Sequence, residues 1–174
     1  MSTFYFIRHG KTDFSQENYA IYQGRGHNML TLCGEGIRQI ETAAKDQRLQ
    51  GAEIIVTSPF GRTLHSSAIL SRALDLDIRV ETMLHEWQAK PDGTWVSDEE
   101  AMKAYTELNE YHGVHPKDKN CDWESAEHMK KRVFGVLDNY MKYEKVIVVC
   151  HGTLMQYCLD IPHPNNGEIF EYQK

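Results

Sequence analysis

The sequence lacks the features that mark membrane, secreted and disulfide-stabilised proteins. It contains no run close to the roughly 18 apolar residues of a membrane span, and polar Ser2 and Thr3 stand where a signal peptide would carry basic residues. The 174 residues include only four cysteines and no CxxC pair. A disulfide framework or a cysteine zinc site is therefore not expected. We predict a cytoplasmic protein with reduced thiols and no membrane partner.

Basic residues are also in short supply. The 25 aspartates and glutamates outnumber the 19 lysines and arginines, which gives a formal net charge of -6. Nonspecific binding to nucleic acid requires many Lys and Arg side chains that neutralise phosphates. We therefore expect no nucleic-acid partner, and any phosphate-binding site must be locally basic.

The residues that are present fit one globular domain. A chain of 174 residues can bury a substantial core, and 41% of its residues are hydrophobic. No internal repeat or linker-like tract divides it, so we predict a single domain over residues 1–174. Nine histidines are many for this length, which makes acid-base chemistry or a metal site worth testing.

Short apolar runs and helix signals alternate along the chain. Runs at 3–7, 53–56 and 145–149 are too short for helices and predict buried strands. The predicted helices are one capped by Thr31 over 32–50, one started by Ser58-Pro59, one with a Ser97 and Glu100 capping box, one from Ser125 to about Tyr143, and one after His151. This alternation predicts an α/β fold with a parallel sheet covered on both faces.

The segment from about 87 to 123 differs from its surroundings. It is polar, and several prolines and glycines surround one capped helix. It also carries aromatic residues: Trp87, Trp95, Tyr105 and Trp123. An insertion of this kind in an α/β domain is often a lid over a site, though it can equally be a solvated excursion.

Two predicted strands end in similar polar residues. The first ends at Arg8-His9 and the last at His151-Gly152. Ligands of an open parallel sheet bind outside the carboxyl ends of its strands, so we expect both histidines there. Arg62 should join them, in the first turn of a helix whose free N–H groups favour an anion. These side chains predict a cationic pocket for phosphoryl oxygens, in which a neutral imidazole could act as a nucleophile.

Two other interpretations fail on spacing. The Gly-Lys-Thr at 10–12 looks like the end of a P-loop, but that motif needs glycine at position 5, which is Tyr5. A zinc site is also disfavoured, because the close pair His112 and His115 lacks the HExxH spacing and lies in the polar insertion. We predict that these two histidines lie on the surface, and we expect neither a metal nor a cofactor.

Five segments share their order and spacing with one family. They are "RHGKT" at 8–12, "YQGRGHNMLTLCGEGIRQ", "SPFGR", "HEW" with "GTW" soon after, and "WESAEHMKKR". Together they cover nearly the whole chain and resemble the histidine phosphatase superfamily, with its phosphoglycerate mutase-like fold. The resemblance implies a three-layer αβα sandwich with a mostly parallel central sheet.

The resemblance also implies a two-step phosphoryl transfer without metal. His9 would attack phosphorus and form a phosphohistidine, while Arg8, Arg62 and His151 hold the phosphoryl oxygens. For this attack His9 must be neutral, with its other ring nitrogen bonded to a backbone carbonyl. Glu86 matches the family's proton donor, which protonates the leaving oxygen and then accepts a proton from water. The alternative for Glu86 is an exposed loop carboxylate.

Further candidates come from the same comparison of motifs. The predicted additional contacts to phosphate or substrate are Ser15, Gln23 and Gly24. Ser15 stands where many members have asparagine, and Asn18 could substitute for that side chain. Three cationic positions could attract a second anionic group on the substrate, or form a solvated rim: Lys11, Arg25 and His27.

Three functions follow, in decreasing order of support. The first is a phosphomonoesterase acting on a small phosphorylated metabolite. The second is a mutase, although the family's dedicated mutases usually have longer chains that enclose a bisphosphorylated intermediate. The third is a noncatalytic phosphate-binding module, which would need Arg8, Arg62 and His151 but neither His9 nor Glu86. The tryptophans of the insertion could cover a ring of the substrate or pack a homodimer.

Overall fold

A five-stranded sheet runs through the middle of the computed structural model, which describes residues 1–174. The strands are β1 Thr3–Arg8, β2 Ile54–Thr57, β3 Ile78–Val80, β4 Lys145–Cys150 and β5 Ile169–Gln173. Their order across the sheet is β3-β2-β4-β1-β5, and β1 and β5 form the one antiparallel pair. The predicted mostly parallel sheet is confirmed.

Helices cover both faces of this sheet. The α-helices are α1 Gly34–Ala43, α2 Gly61–Leu74, α3 Asp98–Glu110, α4 Ala126–Asp138 and α5 Gly152–Leu159, with short 3₁₀ helices at Ala20–Tyr22, Gly24–Met29, Gln47–Leu49 and Thr82–Leu84. Side chains of β1 alternate between two cores. Phe4 and Phe6 pack on the side of α3, α4 and α5, while Tyr5 and Ile7 pack on the side of α1 and α2. The molecule is therefore a three-layer αβα sandwich.

Two predicted helix starts are wrong. The helix expected after Thr31 begins at Gly34, with Cys33 as its N-cap. Residues 31–32 are extended instead, because Leu32 forms an antiparallel bridge with Thr12. The helix expected at Ser58-Pro59 begins at Gly61, with Phe60 as N-cap. The Ser58 hydroxyl is not a helix cap here, since it contacts a histidine ring across the sheet edge.

Other local signals are confirmed or corrected. The capping box of Ser97 and Glu100 is present, and the Ser125 side chain accepts a hydrogen bond at the start of α4. That helix ends at Asp138 rather than near residue 143. Strands β3 and β5 were not predicted, because both lie at sheet edges and carry exposed positions that interrupt an apolar run.

The predicted insertion at about 87–123 has two parts. Its second part is anchored in the core, since Leu108 and Trp123 are almost completely buried. Its first part, residues 87–96, lines a cavity next to the carboxyl edge of the sheet. The movement that a lid implies stays a prediction.

Two general findings complete the fold. All four cysteines are free thiols. No helix combines the length and the apolar character that crossing a membrane requires.

Candidate active site

The two histidines predicted to meet at the sheet edge do so because their strands are neighbours in register. Arg8, the last residue of β1, pairs with Cys150, the last residue of β4. The residues that follow are therefore side by side, and the His9 N–H donates to the Cys150 carbonyl at 3.1 Å. The rings of His9 and His151 lie 5.3 Å apart between centroids, at an angle of 65°.

His9 is held in one tautomer. Its Nδ1 lies 2.8 Å from the Gly10 carbonyl oxygen, which can only accept, so Nδ1 carries the proton. Nε2 then has a free lone pair. Gly10 makes this turn feasible, because a Cβ at that position would lie 2.3 Å from the Gly36 carbonyl oxygen. The hydrogen bond expected from the sequence argument is thus observed.

The surroundings of His9 keep its ring neutral. The side chain is almost buried, with 7% of the residue exposed. Burial, and then the positive charges of Arg62 and Arg8, lower the pKa of His9 from 6.5 to about 3, although the Gly10 hydrogen bond opposes this shift. A neutral imidazole with an available Nε2 is the form that can attack phosphorus.

His151 is completely buried behind His9. Burial and the Arg62 charge lower its pKa well below the ordinary value. Its Nε2 lies 2.7 Å from the Ser58 hydroxyl, and its Nδ1 has no hydrogen-bond partner. Buried polar atoms usually have a partner. If the Ser58 hydroxyl donates to Nε2, Nδ1 carries a proton that is free for a ligand.

Two arginines flank these rings. Arg8 donates from Nη1 to the Pro164 carbonyl at 2.6 Å, and its buried Nε has no partner. Arg62 is the second residue of α2, and its guanidinium lies 4.9 Å from the centre of the Phe60 ring. Burial lowers the pKa of both arginines, and the Glu86 charge raises both. All four predicted phosphate-site residues are therefore gathered at one place, with Glu86 within electrostatic reach.

Glu86 is not an exposed loop carboxylate. It is half-buried and lies at the N-terminus of α5. Its Oε1 accepts from the backbone N–H groups of Trp87 at 2.8 Å and Leu154 at 2.9 Å, and its Oε2 accepts from Thr153 at 3.2 Å. Unpaired N–H groups of the first helical turn thus fix the carboxyl group beside the arginines.

A cavity of about 320 Å³ opens in front of His9. Its lining consists of Arg8, His9, Lys11, Thr12, Phe14, His27, Asn28, Arg62 and Asn166. Ser15 is not among these residues; it is exposed, and its N–H donates to Asp13. Gln23 and Gly24 line neighbouring cavities instead. The structure therefore does not bring these three candidates to the phosphate pocket, and Asn18 is exposed as well.

The three cationic positions at the rim have partners within the protein. Lys11 Nζ lies 2.6 Å from a Glu35 carboxylate oxygen, and His27 Nε2 lies 3.7 Å from Glu17. Arg25 donates from Nη2 to the Gly93 carbonyl at 2.6 Å.

The predicted surface histidines, His112 and His115, are both exposed.

Several supporting residues had no recognisable signal in the sequence. Asn166 donates from its amide to the His9 carbonyl at 2.8 Å, and Ser66 accepts from the Gly10 N–H at 3.2 Å. The Ser58 contact with His151 was hidden because Ser-Pro is typical of a helix start. Only the pairing of distant segments reveals these roles.

The site can bind a phosphoryl group and present a nucleophile to it. Arg8 Nε and His151 Nδ1 are buried without a partner, and the Arg62 guanidinium adds further donors beside the His9 ring. An anion with three oxygens suits such a set of donors. This charge arrangement opposes the charge that develops in phosphoryl transfer.

Comparison with known proteins places the chain among relatives of similar architecture. The family model described as histidine phosphatase superfamily (branch 1) matches residues 4–163. A protein of Yersinia enterocolitica named "Probable phosphoglycerate mutase GpmB" is 26% identical over 156 residues, which are 85% of this chain and 68% of that protein.

Solved structures with the same fold include proteins named as mutases and proteins named as phosphatases. A phosphoglycerate mutase from Bacillus anthracis superposes with a TM-score of 0.70 at 16% identity, covering 99% of this chain and 88% of that one. A mycobacterial glucosyl-3-phosphoglycerate phosphatase superposes with a TM-score of 0.68 at 18% identity, covering 98% and 89%. At these identities the likeness establishes the fold.

Proposed function

The chain belongs to the histidine phosphatase superfamily, and we propose that it hydrolyses a small phosphomonoester, without a metal, through a phosphohistidine on His9. The observation that carries this proposal is the state of His9. Its Nδ1 is bonded to the Gly10 carbonyl, and its pKa is lowered to about 3. The ring therefore offers a neutral Nε2 inside a cationic pocket.

In the first step, His9 Nε2 attacks phosphorus in line with the leaving oxygen. The new N–P bond forms as the P–O bond to the leaving group breaks, and a protonated Glu86 gives its proton to the leaving oxygen. Arg8, Arg62 and His151 oppose the charge on the equatorial oxygens. The products of this step are an alcohol and phosphohistidine.

In the second step, water attacks the phosphohistidine on the same axis. The Glu86 carboxylate takes a proton from the water as the P–O bond forms and the N–P bond breaks. Inorganic phosphate leaves, His9 returns to its neutral form, and Glu86 is again protonated. One carboxyl group thus serves as acid and base in turn.

Mutase activity is the second candidate, because the curated relatives carry a mutase name. A mutase would have to bind substrates with a further anionic group, yet Lys11 and His27 at the rim are already paired with carboxylates. Incubation with 3-phosphoglycerate and a bisphosphoglycerate primer tests this candidate. Isomerisation faster than hydrolysis would overturn the phosphatase proposal.

The main experiment measures hydrolysis of p-nitrophenyl phosphate with EDTA present. Wild type should be active, and His9→Ala should lose at least about 10³-fold in rate because the nucleophile is gone. His128→Ala, an exposed histidine on α4, is the matched control and should keep full activity. Loss of wild-type activity in EDTA would contradict the metal-free mechanism.

A binding module on the same fold gives a different result. It would bind inorganic phosphate yet hydrolyse no member of a broad phosphoester panel. Trapping with labelled substrate under alkaline denaturation should reveal an acid-labile phosphoryl group in wild type and none in His9→Ala.

A cytoplasmic location, a metabolite rather than nucleic acid as partner, and a homodimer stay predictions.

A further inference from the structure

A second cavity adjoins the phosphate pocket. Its volume is about 550 Å³, within the range of small-molecule sites. Asn28 lies in the lining of both cavities, so the two are neighbours. The second cavity is therefore the candidate position for a group attached to a phosphoryl bound near His9.

Three aromatic side chains line this cavity: Phe60, and Trp87 and Trp95 from the stretch 87–96. Phe60 is fixed between the His151 ring, 5.1 Å away, and the Arg62 guanidinium. Trp87 donates from Nε1 to the Glu124 carbonyl at 2.8 Å and packs edge-on against another aromatic ring. Two of the three rings are therefore rigid parts of the wall.

Trp95 is the most accessible of these rings. It is 57% exposed, although its indole lies against the backbone of Gly24. A Cβ on Gly24 would lie 3.0 Å from the Trp95 Nε1, and the φ of Gly24 is +54°. Glycine at this position thus allows the indole to approach the backbone and stand at the mouth of the cavity.

The basic side chains around this cavity already have partners within the protein. Lys90 forms an ion pair with Asp122, and Arg25 donates to the Gly93 carbonyl. His85 lies in the lining with its Nδ1 bonded to the Glu86 carbonyl. Burial, and then the Arg132 charge, lower the pKa of His85, which keeps it neutral. A second anionic group on the substrate would have to compete with these contacts, whereas an uncharged ring would not.

We propose that the leaving group of the substrate is an uncharged aromatic or heteroaromatic ring that packs against Phe60, Trp87 and Trp95. This inference rests on the proposed function, because it assigns the alcohol part of the same phosphomonoester. Aromatic rings pair favourably with one another beyond the area they bury. The cavity therefore selects a flat ring over an acyclic group.

The test compares benzyl phosphate with ethyl phosphate, whose alcohols have similar basicity. In Trp95→Ala, kcat/KM for benzyl phosphate should fall about tenfold more than for ethyl phosphate, through lost stacking and apolar contact. Met102→Ala is the control, since this residue is 64% exposed on α3 and does not line the cavity. It should leave the ratio of the two substrates unchanged. Equal losses for both substrates in Trp95→Ala would overturn the inference.

Binding of phosphonates separates this inference from the proposed function. By calorimetry, phenylphosphonate should bind wild type at least about tenfold more tightly than methylphosphonate, and Trp95→Ala should reduce the difference. If phenylphosphonate is preferred but no ester is hydrolysed, the proposed function fails and the ring site stands. If both esters are hydrolysed but the phosphonates bind equally, or if neither binds, the ring site is wrong.

Discussion

The two neighbouring cavities, which share Asn28 in their linings, are built in different ways. The phosphate side rests on backbone pairing of β1 with β4, and His9 and His151 are almost completely buried there. The side that we propose for the leaving group includes the short helix Gly24–Met29 and the stretch 87–96, and it carries the exposed Trp95. On the functions that we propose, the chemistry depends on the sheet, while selectivity depends on surface segments that can vary without disturbing it.

The largest expected effect lies on the phosphate side. Arg62→Ala should lower kcat/KM for every phosphomonoester by about 10²- to 10³-fold, because it removes donors aimed at developing charge. Arg72, exposed in the last turn of the same helix, provides the control Arg72→Ala. Steady-state rates on benzyl and ethyl phosphate measure both variants. A loss limited to one substrate would show that Arg62 contacts the leaving group and not the phosphoryl group that all substrates share.

Glu86→Gln should separate acid catalysis from the structural role of this side chain. We compare kcat/KM, which reports the first step and not the later hydrolysis of phosphohistidine; for ethyl phosphate, whose leaving oxygen needs a proton, it should fall about 10²-fold or more. For p-nitrophenyl phosphate, whose leaving group departs as an anion, the loss should be far smaller. Similar losses on both substrates would indicate that Glu86 acts mainly by holding the start of α5.

Acid should lower the free energy of unfolding of the whole protein through the buried histidines of the phosphate side. The pKa of His9 falls from 6.5 to about 3 on folding, so the unfolded chain binds the proton more readily. The stability that the neutral ring confers is complete above pH 6.5 and is lost as pH falls toward 3. Between pH 6.5 and 5, His9 alone should remove about 2 kcal/mol from the free energy of unfolding.

Urea denaturation at pH 7 and pH 5 checks this dependence. His151 contributes in the same direction, since its pKa is also lowered. His9→Gln should show a smaller loss of stability between these pH values than wild type. An equal loss in both proteins would mean that folding does not lower the pKa of His9.

Ser58→Ala should produce a moderate effect through His151. It removes the 2.7 Å contact to Nε2, which fixes the ring and its proton. We expect kcat to fall about tenfold and the free energy of unfolding to fall by about 1 to 3 kcal/mol. Ser67→Ala is the control, because the buried Ser67 hydroxyl has no hydrogen-bond partner. Unchanged kcat in Ser58→Ala would exclude a positioning role.

Ser15→Ala should have the smallest effect. The family pattern predicts a phosphate contact at this position, but the side chain is exposed and lies outside the lining of the phosphate cavity. Its backbone contact with Asp13 survives the substitution. We expect kcat/KM to change less than twofold on any substrate, and a tenfold loss would show that this loop closes over the phosphate.

Prediction from the sequence was more successful for the sheet edge of the phosphate side than for the loops around it. Apolar runs predict β1, β2 and β4, and strand ends in a parallel sheet must share one edge, so His9 and His151 could be placed together. Ser58 was misassigned as a helix start, because a local pattern cannot show a contact across the sheet. Ser15 and Gln23 lie on loops, and Gly24 begins a short 3₁₀ helix. The positions of such segments depend on packing that no periodicity encodes.

The position of β1 in the sheet also sets the order in which the site can form during synthesis. Both neighbours of this strand come from far along the chain, since Thr3 pairs with Lys145 on one side and Gln173 on the other. At about 5 to 20 residues per second, the ribosome needs roughly 7 to 28 s between making the first strand and its parallel partner. Until then β1 is an apolar segment with unpaired edges, which chaperones would have to shield. His9 is therefore made long before the strand that completes its surroundings.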